Sequence, residues 1–152
     1  NQSLEIHYQS MNPTKPEAIW RRIIPHAFGT TACTGTRAYC HMERKFKDFI
    51  VSRCRETQKP DGPGARAADD KSWQTFFELI LRPNPDLTST QQQTIALDYQ
   101  MTKEWAAIPI RCALLYYFEK RLWLDIDSNR NKPAEKPVVV ENWTEFVHVG
   151  RG

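Results

Sequence analysis

The sequence has no uninterrupted hydrophobic run long enough to span a bilayer, which takes about 20 mostly apolar residues. The longest candidate, residues 105–118, has fourteen residues and contains one charge, Arg111. A stretch that is apolar on most of its sides is typical of a buried central helix in a soluble domain. We therefore predict no membrane partner, and a central helix between about residues 107 and 121.

The cysteines lack the close pairing that zinc sites use, in which ligands come in short-range pairs from two arms of the chain. If a helix began near Thr36, Cys40 and Cys54 would lie about 21 Å apart along it, too far to share one ion. We predict no metal, and reduced, buried thiols of the kind found inside cells. The four cysteines are Cys33, Cys40, Cys54 and Cys112.

The sequence also lacks a recognisable phosphate-binding loop. Residues 26–36 are rich in Gly and Thr, but they have no P-loop lysine and follow no clear strand. Thr34 or Thr36 as the cap of the next helix is the simpler interpretation. We predict no cofactor.

No set of residues carries an assignable catalytic role. Asp125 and Asp127 would point to the same side of a strand, but no His or Gly-rich context assigns either a function. His26 with Cys33 is conceivable as a base and nucleophile only if the fold brings them together. We predict a protein that is not an enzyme, and a scattered active site remains the alternative.

The composition is that of one ordinary globular domain: 152 residues, of which 40% are hydrophobic and 26% charged. We predict a mainly α fold, with four or five helices around the central apolar helix. A small antiparallel β element from the terminal segments is possible in this scheme. The predicted domain covers residues 1–152, with a mobile internal loop at 57–71, where Pro and Gly leave little room for regular structure.

Hydrophobic periodicity and turn residues give the individual elements. Residues 73–81 have an apolar set at helical spacing, and Thr88 is followed by the cap pattern of a helix start. The predicted helices are 17–24, 37–56, 73–81 and 88–103, and the strand-like segments are 4–8, 122–127, 137–140 and 146–149.

Basic residues are concentrated early in the chain, since residues 1–60 hold ten Lys/Arg and five Asp/Glu. At 100° per residue, a helix over 37–56 has an apolar face and an opposite face of Arg37, His41, Arg44 and Arg55. Lys45 and Lys47 flank this basic stripe. Such a stripe is suited to nucleic-acid phosphates or to an acidic protein. It can equally be only the solvated face of an amphipathic helix, since Glu43, Asp48 and Glu56 interrupt it.

The leading hypothesis is a protein–protein interaction domain of a larger intracellular protein, in the nucleus or the cytoplasm. Its expected partner is a protein, with an acidic protein as one candidate, bound through basic and aromatic residues. Trp123 and Trp143 complete the predicted binding set, because Trp is enriched at interface hot spots. The alternative is a nucleic-acid-binding domain that uses the basic stripe, and the oligomeric state is left open.

Overall fold

The computed structural model describes residues 2–30, 33–59, 65–122, 124 and 136–150, and the chain divides into two compact units. Unit 1 is residues 1–70, and unit 2 is residues 71–152. Each unit is built on an antiparallel sheet of its own. The predicted bundle of four or five helices is therefore wrong. The expectation of one domain over residues 1–152 stays a prediction.

Unit 1 contains strands β1 (Leu4–Tyr8), β2 (Ile19–Thr30), β3 (Thr34–Cys40), β4 (Lys45–Ile50) and β5 (Cys54–Gln58). They form one sheet in the order β4-β3-β2-β1-β5, and every neighbouring pair is antiparallel. β1 confirms the strand predicted for residues 4–8.

The core of unit 1 lies on one face of this sheet. Successive strand residues point to opposite faces, so Ala38 and Cys40 are buried on the core side while Arg37 and Tyr39 point to the other side. The buried cluster consists of Ile6, Tyr8, Ile23, Ala38, Cys40 and Phe49.

β2 takes the place of the helix predicted for residues 17–24. Its adjacent residues Ile23 and Ile24 are both buried, one on each face of the sheet. Pro25, which we expected to end a helix, lies where the β2–β3 ladder is irregular, between Pro25 and Ala27. Such an irregularity tolerates the missing N–H of proline.

The prediction of a helix over residues 37–56 is wrong, because these residues contribute to β3, β4, β5 and a short 3-10 turn, Val51–Arg53. Ala38 and Tyr39, expected on one helical face, lie on opposite faces of β3. Short apolar groups separated by single charges fit a period of 2 as well as 3.6. Pairing of β3 with a strand on each side decides between them.

Unit 2 contains strands β6 (Phe76–Pro83), β7 (Ala106–Arg111) and β8 (Val138–Val140), paired in the order β7-β6-β8. Its helices are α1 (Lys71–Gln74), α2 (Ser89–Asp98), α3 (Leu115–Arg121) and α4 (Trp143–Gly150). None of the helices within the described ranges is long and apolar enough to cross a membrane.

The core of unit 2 forms between its sheet and its helices. Phe77, Leu79 and Leu81 alternate along β6 and point to this core. Partly buried side chains of α2, α3 and α4 pack against the same cluster. The buried members are Phe77, Leu79, Leu81, Met101, Ile110, Leu115, Leu124, Val138 and Phe146.

The predicted central helix, residues 107–121, is only partly helical. Its first half is β7, followed by a 3-10 turn, Cys112–Leu114, and only α3 is α-helix. Pro109 fits because β7 is an edge strand, where a missing N–H costs no ladder hydrogen bond on the open side. Likewise, β6 takes the place of most of the helix predicted for residues 73–81.

Two of the other predicted elements are confirmed. α2 begins after Thr88, whose hydroxyl accepts a hydrogen bond from the N–H of Gln91 in a capping box, although α2 ends at Asp98 instead of 103. β8 confirms the strand at 137–140. The strand predicted for 146–149 is wrong, because these residues belong to α4. Of 122–127, only residues 122 and 124 are described.

The middle of the predicted loop, residues 60–64, lies outside the described residues, so the mobility of the segment stays a prediction. The flanking residues do have structure: Thr57 and Gln58 belong to β5, and Ala67–Asp69 is a short 3-10 helix. Asp70, at the end of the segment, is buried.

Candidate functional site

The residues of the predicted basic stripe are redistributed by the strand geometry. Arg37 pairs with Asp48 in the β3–β4 register, whereas Lys45 pairs with Cys40 and Lys47 pairs with Ala38. Arg37 therefore lies on one face of the sheet, and the two lysines lie on the opposite face. The stripe is not one continuous surface.

Three of the remaining predicted residues are exposed. His41 and Arg44 lie in the turn between β3 and β4, and Arg55 lies in β5. The φ of Arg44 is +52°, a left-handed conformation that closes this four-residue turn. The His41 ring contacts the edge of Tyr39, with 5.3 Å between the ring centroids.

The two tryptophans of the predicted binding set differ in what the structure reveals. Trp123 lies outside the described residues. Trp143 is half-buried on α4 and packs against the unit 2 core, with its ring centroid 5.5 Å from that of Phe146. Its role in binding a partner stays a prediction.

Arg37 lies in a polar cluster with Asp70, Asp48 and His26, on the face of β3 opposite the unit 1 core. Its Nε and one terminal nitrogen donate to the two carboxylate oxygens of Asp70, at 2.8 and 3.2 Å. Its other terminal nitrogen donates to Asp48 at 3.3 Å. The Nε2 of His26 lies 3.0 Å from Asp70. The two parallel hydrogen bonds from Arg37 to Asp70 form a bidentate pair, which is the strongest geometry that Arg makes with a carboxylate.

Burial by itself would lower the pKa of Arg37. The hydrogen bond to Asp70 and the charges of Asp48 and Asp70 outweigh burial and raise the pKa above its ordinary value. Arg37 is therefore a permanent cation whose hydrogen bonds are directed to carboxylates of the same unit. The arrangement fixes the segment ending at Asp70 onto the sheet.

The second charged cluster of unit 1, called here the Glu43 cluster, consists of Glu43 and four cations. Lys47 and Arg21 approach the carboxylate most closely, at 2.9 and 2.7 Å. Lys15 lies at 3.4 Å and Lys45 at 3.8 Å. Four positive charges around one negative charge leave an excess of +3 at this position.

Arg21 is the buried member of the Glu43 cluster. Its side chain lies beside Tyr8, with the guanidinium 6.0 Å from the ring centroid. Its Nε has no hydrogen-bond partner among the described residues. An unsatisfied buried N–H is costly, so the position of Arg21 depends on its hydrogen bond to Glu43.

Sequence reasoning named Lys45 and Lys47 but did not find Lys15 or the converging role of Glu43. Lys15 comes from the connection between β1 and β2, 28 residues from Glu43. No local pattern links the two positions, because only pairing of β2 with β3 brings them together.

The Glu43 cluster gives a testable pH dependence. Hydrogen bonds from Lys47 and Arg21 lower the pKa of Glu43 from 4.5 to about 2. A depressed carboxylate pKa stabilises the fold above about pH 4.5, and this stabilisation is lost as the pH falls through 2. We expect Glu43→Gln to flatten the fall in the free energy of unfolding over this range, as measured by urea denaturation.

The matched control for that measurement is Glu17→Gln, an exposed glutamate of the same unit. It should leave the pH dependence of unfolding as it is in the unmodified chain. Coincident curves for the two variants would show that Glu43 contributes nothing specific.

The cysteines and other metal-ligating residues do not form a shared site in the part of the chain that is described. The four cysteines are free thiols, and burial raises the pKa of both Cys54 and Cys112. Among the described residues, no group of three His, Cys, Asp or Glu side chains could hold a metal ion.

Comparison with known proteins finds that most of unit 2 is similar to a described family. Residues 76–146 match the model "BrxR transcriptional regulator, C-terminal dimerization domain". The matched segment begins at the first residue of β6 and ends within α4, so it contains the sheet and most of the core of this unit.

Similarity to curated proteins extends over nearly the whole chain. DNA-binding transcriptional repressor CapW of Escherichia coli (strain KTE188) is 30% identical over 147 residues, 96% of this chain and 48% of that protein. CapW of Pseudomonas aeruginosa is 31% identical and CapW of Stenotrophomonas maltophilia is 32% identical, each over 94% of this chain and 48% of that protein. The chain spans about half the length of the curated relatives it matches.

Among solved structures, proteasome accessory factor B/C (PafBC) of Arthrobacter aurescens aligns with 99% of this chain and 24% of its own, at 14% identity and a TM-score of 0.37. That score is too low to establish a shared fold. The curated relatives are named as repressors, not enzymes, and they are bacterial, so a nuclear location has no support. Nearly all of this chain is thus similar to about half of a bacterial DNA-binding transcriptional repressor.

Proposed function

We propose that this chain is part of a bacterial DNA-binding transcriptional repressor and that unit 2 joins two copies of it. The observation that carries the proposal is the match of residues 76–146 to a dimerization domain, together with similarity to CapW repressors over the rest of the chain. Such a protein works in the cytoplasm, where bacterial DNA lies. The partner is then a second copy of the same protein, together with DNA.

The proposal predicts that the purified chain is a dimer. Light scattering after size exclusion should give twice the 17.7 kDa mass of one chain, with a shift toward that of one chain on dilution. A single-chain mass at every concentration would contradict the proposed dimer.

A second proposal concerns nucleic acid and rests on the Glu43 cluster. Lys15, Lys45 and Lys47 bring an excess of positive charge to one place, and phosphate neutralisation by such residues gives affinity that falls with salt. We propose that this cluster contacts the phosphate backbone. It takes over the role predicted for the stripe, and His41, Arg44 and Arg55 remain candidate contacts beside it.

The test is binding of labelled single- and double-stranded oligonucleotides from low to physiological salt. Replacing Lys15, Lys45 and Lys47 with Gln should weaken binding and make the dependence on salt less steep. The control replaces three other exposed lysines, Lys59, Lys71 and Lys103, which removes the same net charge. Equal loss in both triple variants would refute a localised contact.

A further inference from the structure

The sheet of unit 2 has a second face, opposite its core. Residues that pair directly across two strands point to the same face of the sheet. Phe76 is therefore on the same face as Arg111, Ile80 on the same face as Ala107, and Arg82 on the same face as Val139. We call this the outer face. Its members are Phe76, Glu78, Ile80 and Arg82 of β6, Ala107, Pro109 and Arg111 of β7, and Val139 of β8.

The outer face is more apolar than a solvated sheet face usually is. Phe76 is 55% exposed, and Ala107 and Pro109 are exposed as well. Trp105, also exposed, directly precedes β7 and continues the alternation of Ala107 and Pro109. The outward positions of a sheet face that meets only water are usually polar. Glu78 and Arg82 of β6 follow this rule, whereas the other outward positions of β6 and β7 include four apolar residues: Phe76, Ile80, Ala107 and Pro109.

We propose that the outer face packs against the outer face of a second copy of this chain, across a two-fold axis. The proposal rests on the dimer proposed above and names the surface that forms it. Face-to-face packing of two sheets buries alternate side chains of each strand, which is the set that the outer face presents.

Charge placement on β6 favours a second copy as the occupant. Glu78 and Arg82 flank Ile80 on the same face, each about 7 Å away at ~3.4 Å per residue. A two-fold axis that lies between the two faces, perpendicular to β6 and passing at Ile80, brings Glu78 of one copy to Arg82 of the other, and the reverse. Within one chain, Arg82 is paired with the exposed Glu141, and it is well placed to bridge both carboxylates.

At one end of the outer face, contacts within the chain hold Arg111 in place between two aromatic rings. The Arg111 guanidinium lies 4.9 Å from the ring centroid of Trp73 and 4.6 Å from that of Phe76. It also donates a hydrogen bond to the carbonyl oxygen of Trp73. Aromatic and Arg side chains held in this way lose little entropy on binding and are enriched at interface hot spots.

The edges of the sheet are poorer sites for a second copy than its face. β7 contains Pro109, which has no N–H to offer an added strand, and β8 is only three residues long. Extension of the sheet across either edge would form few hydrogen bonds. Packing on the outer face needs none.

The test is the dimer dissociation constant of the full chain carrying Ala107→Glu. Ala107 is exposed, so the new side chain displaces nothing in the core. In the proposed interface it would be a desolvated, unpaired charge, and we expect dimerisation to weaken about 100-fold or more. Circular dichroism should show an unchanged fold.

The matched control is Leu97→Glu, at an apolar residue of α2 that is 78% exposed and lies on the helical side of unit 2. It should leave the dissociation constant unchanged. Charge reversal gives an independent readout: Glu78→Arg and Arg82→Glu should each weaken the dimer, and the double variant should restore it.

The outcomes separate the two proposals. A dimer that is weakened by Ala107→Glu but not by Leu97→Glu supports the outer face. A dimer that tolerates both changes overturns the outer face and leaves the proposed dimer standing. A chain that is a monomer without any substitution overturns the dimer itself.

Discussion

Replacing Phe49 with alanine is expected to lower the free energy of unfolding of unit 1 by about 3–5 kcal/mol. The Phe49 side chain is 0% exposed at the centre of the unit 1 core. Its ring makes an edge contact with Tyr8, with 5.1 Å between centroids, and Lys47 lies 5.7 Å from its centre. The substitution removes these contacts and leaves a cavity in the core, which adds to the loss of stability.

The matched control is Phe28→Ala. Phe28 lies in register with Phe49 across Thr36, but it is 73% exposed. We expect a change within about 0.5 kcal/mol in urea denaturation followed by circular dichroism. Equal losses for the two phenylalanines would contradict the core described here, since both variants lose the same atoms.

Replacing Asp70 with alanine is expected to cost about 3–5 kcal/mol of unfolding free energy, because it leaves buried partners without their counter-charge. Asp70 is 2% exposed and accepts hydrogen bonds from Arg37, and His26 lies within hydrogen-bond distance. This single carboxylate ties the end of unit 1 to the middle of its sheet.

The neighbouring Asp69 is the control for Asp70. It pairs with Arg66 on the surface, and exposed ion pairs contribute little to stability. Asp69→Ala should therefore leave the urea midpoint of unfolding close to that of the unmodified chain. A midpoint for Asp70→Ala that matched the control would show that the polar cluster contributes no net stability.

The polar cluster also determines how nucleic-acid binding can be tested. Arg37 was predicted as a phosphate contact, and in the structure its donors are directed to Asp70 and Asp48. An alanine at Arg37 would remove a structural ion pair, so loss of binding would be confounded with loss of folding. Lys45 of the Glu43 cluster is the safer position, because its side chain is 65% exposed and lies 3.8 Å from Glu43. Lys47 donates hydrogen bonds to Glu43, so a variant that includes it needs a check of its fold by circular dichroism.

Some elements were predictable because their signals are local. The Thr88 capping box fixes the start of α2 through side chains three residues apart. β1 and the valines of β8 were correctly predicted as strands from alternation and β-branched composition. The shortage of catalytic and metal-ligating patterns directed the functional hypothesis toward interaction, and the predicted basic stripe gave nucleic acid as its alternative.

The remaining elements depended on partners far away in the chain. Residues 37–56 contain apolar side chains that satisfy either period, and only hydrogen bonding of β3 to β2 and β4 selects the strand. The 105–118 stretch is apolar because β7 and α3 each contribute to one core, not because it is one helix. Local propensity was overridden by tertiary pairing in both cases.

The sequence by itself determined the Thr88 cap at the start of α2, the strands β1 and β8, the excess of basic charge in residues 1–60, and the absence of a membrane-length apolar run. Only the tertiary structure decided which charges meet. Lys15 and Arg21 reach Glu43, and Asp70 reaches Arg37, across separations that no periodicity encodes. The physical reason is that strand register places side chains by pairing between strands, whereas sequence patterns record neighbours along one strand or helix.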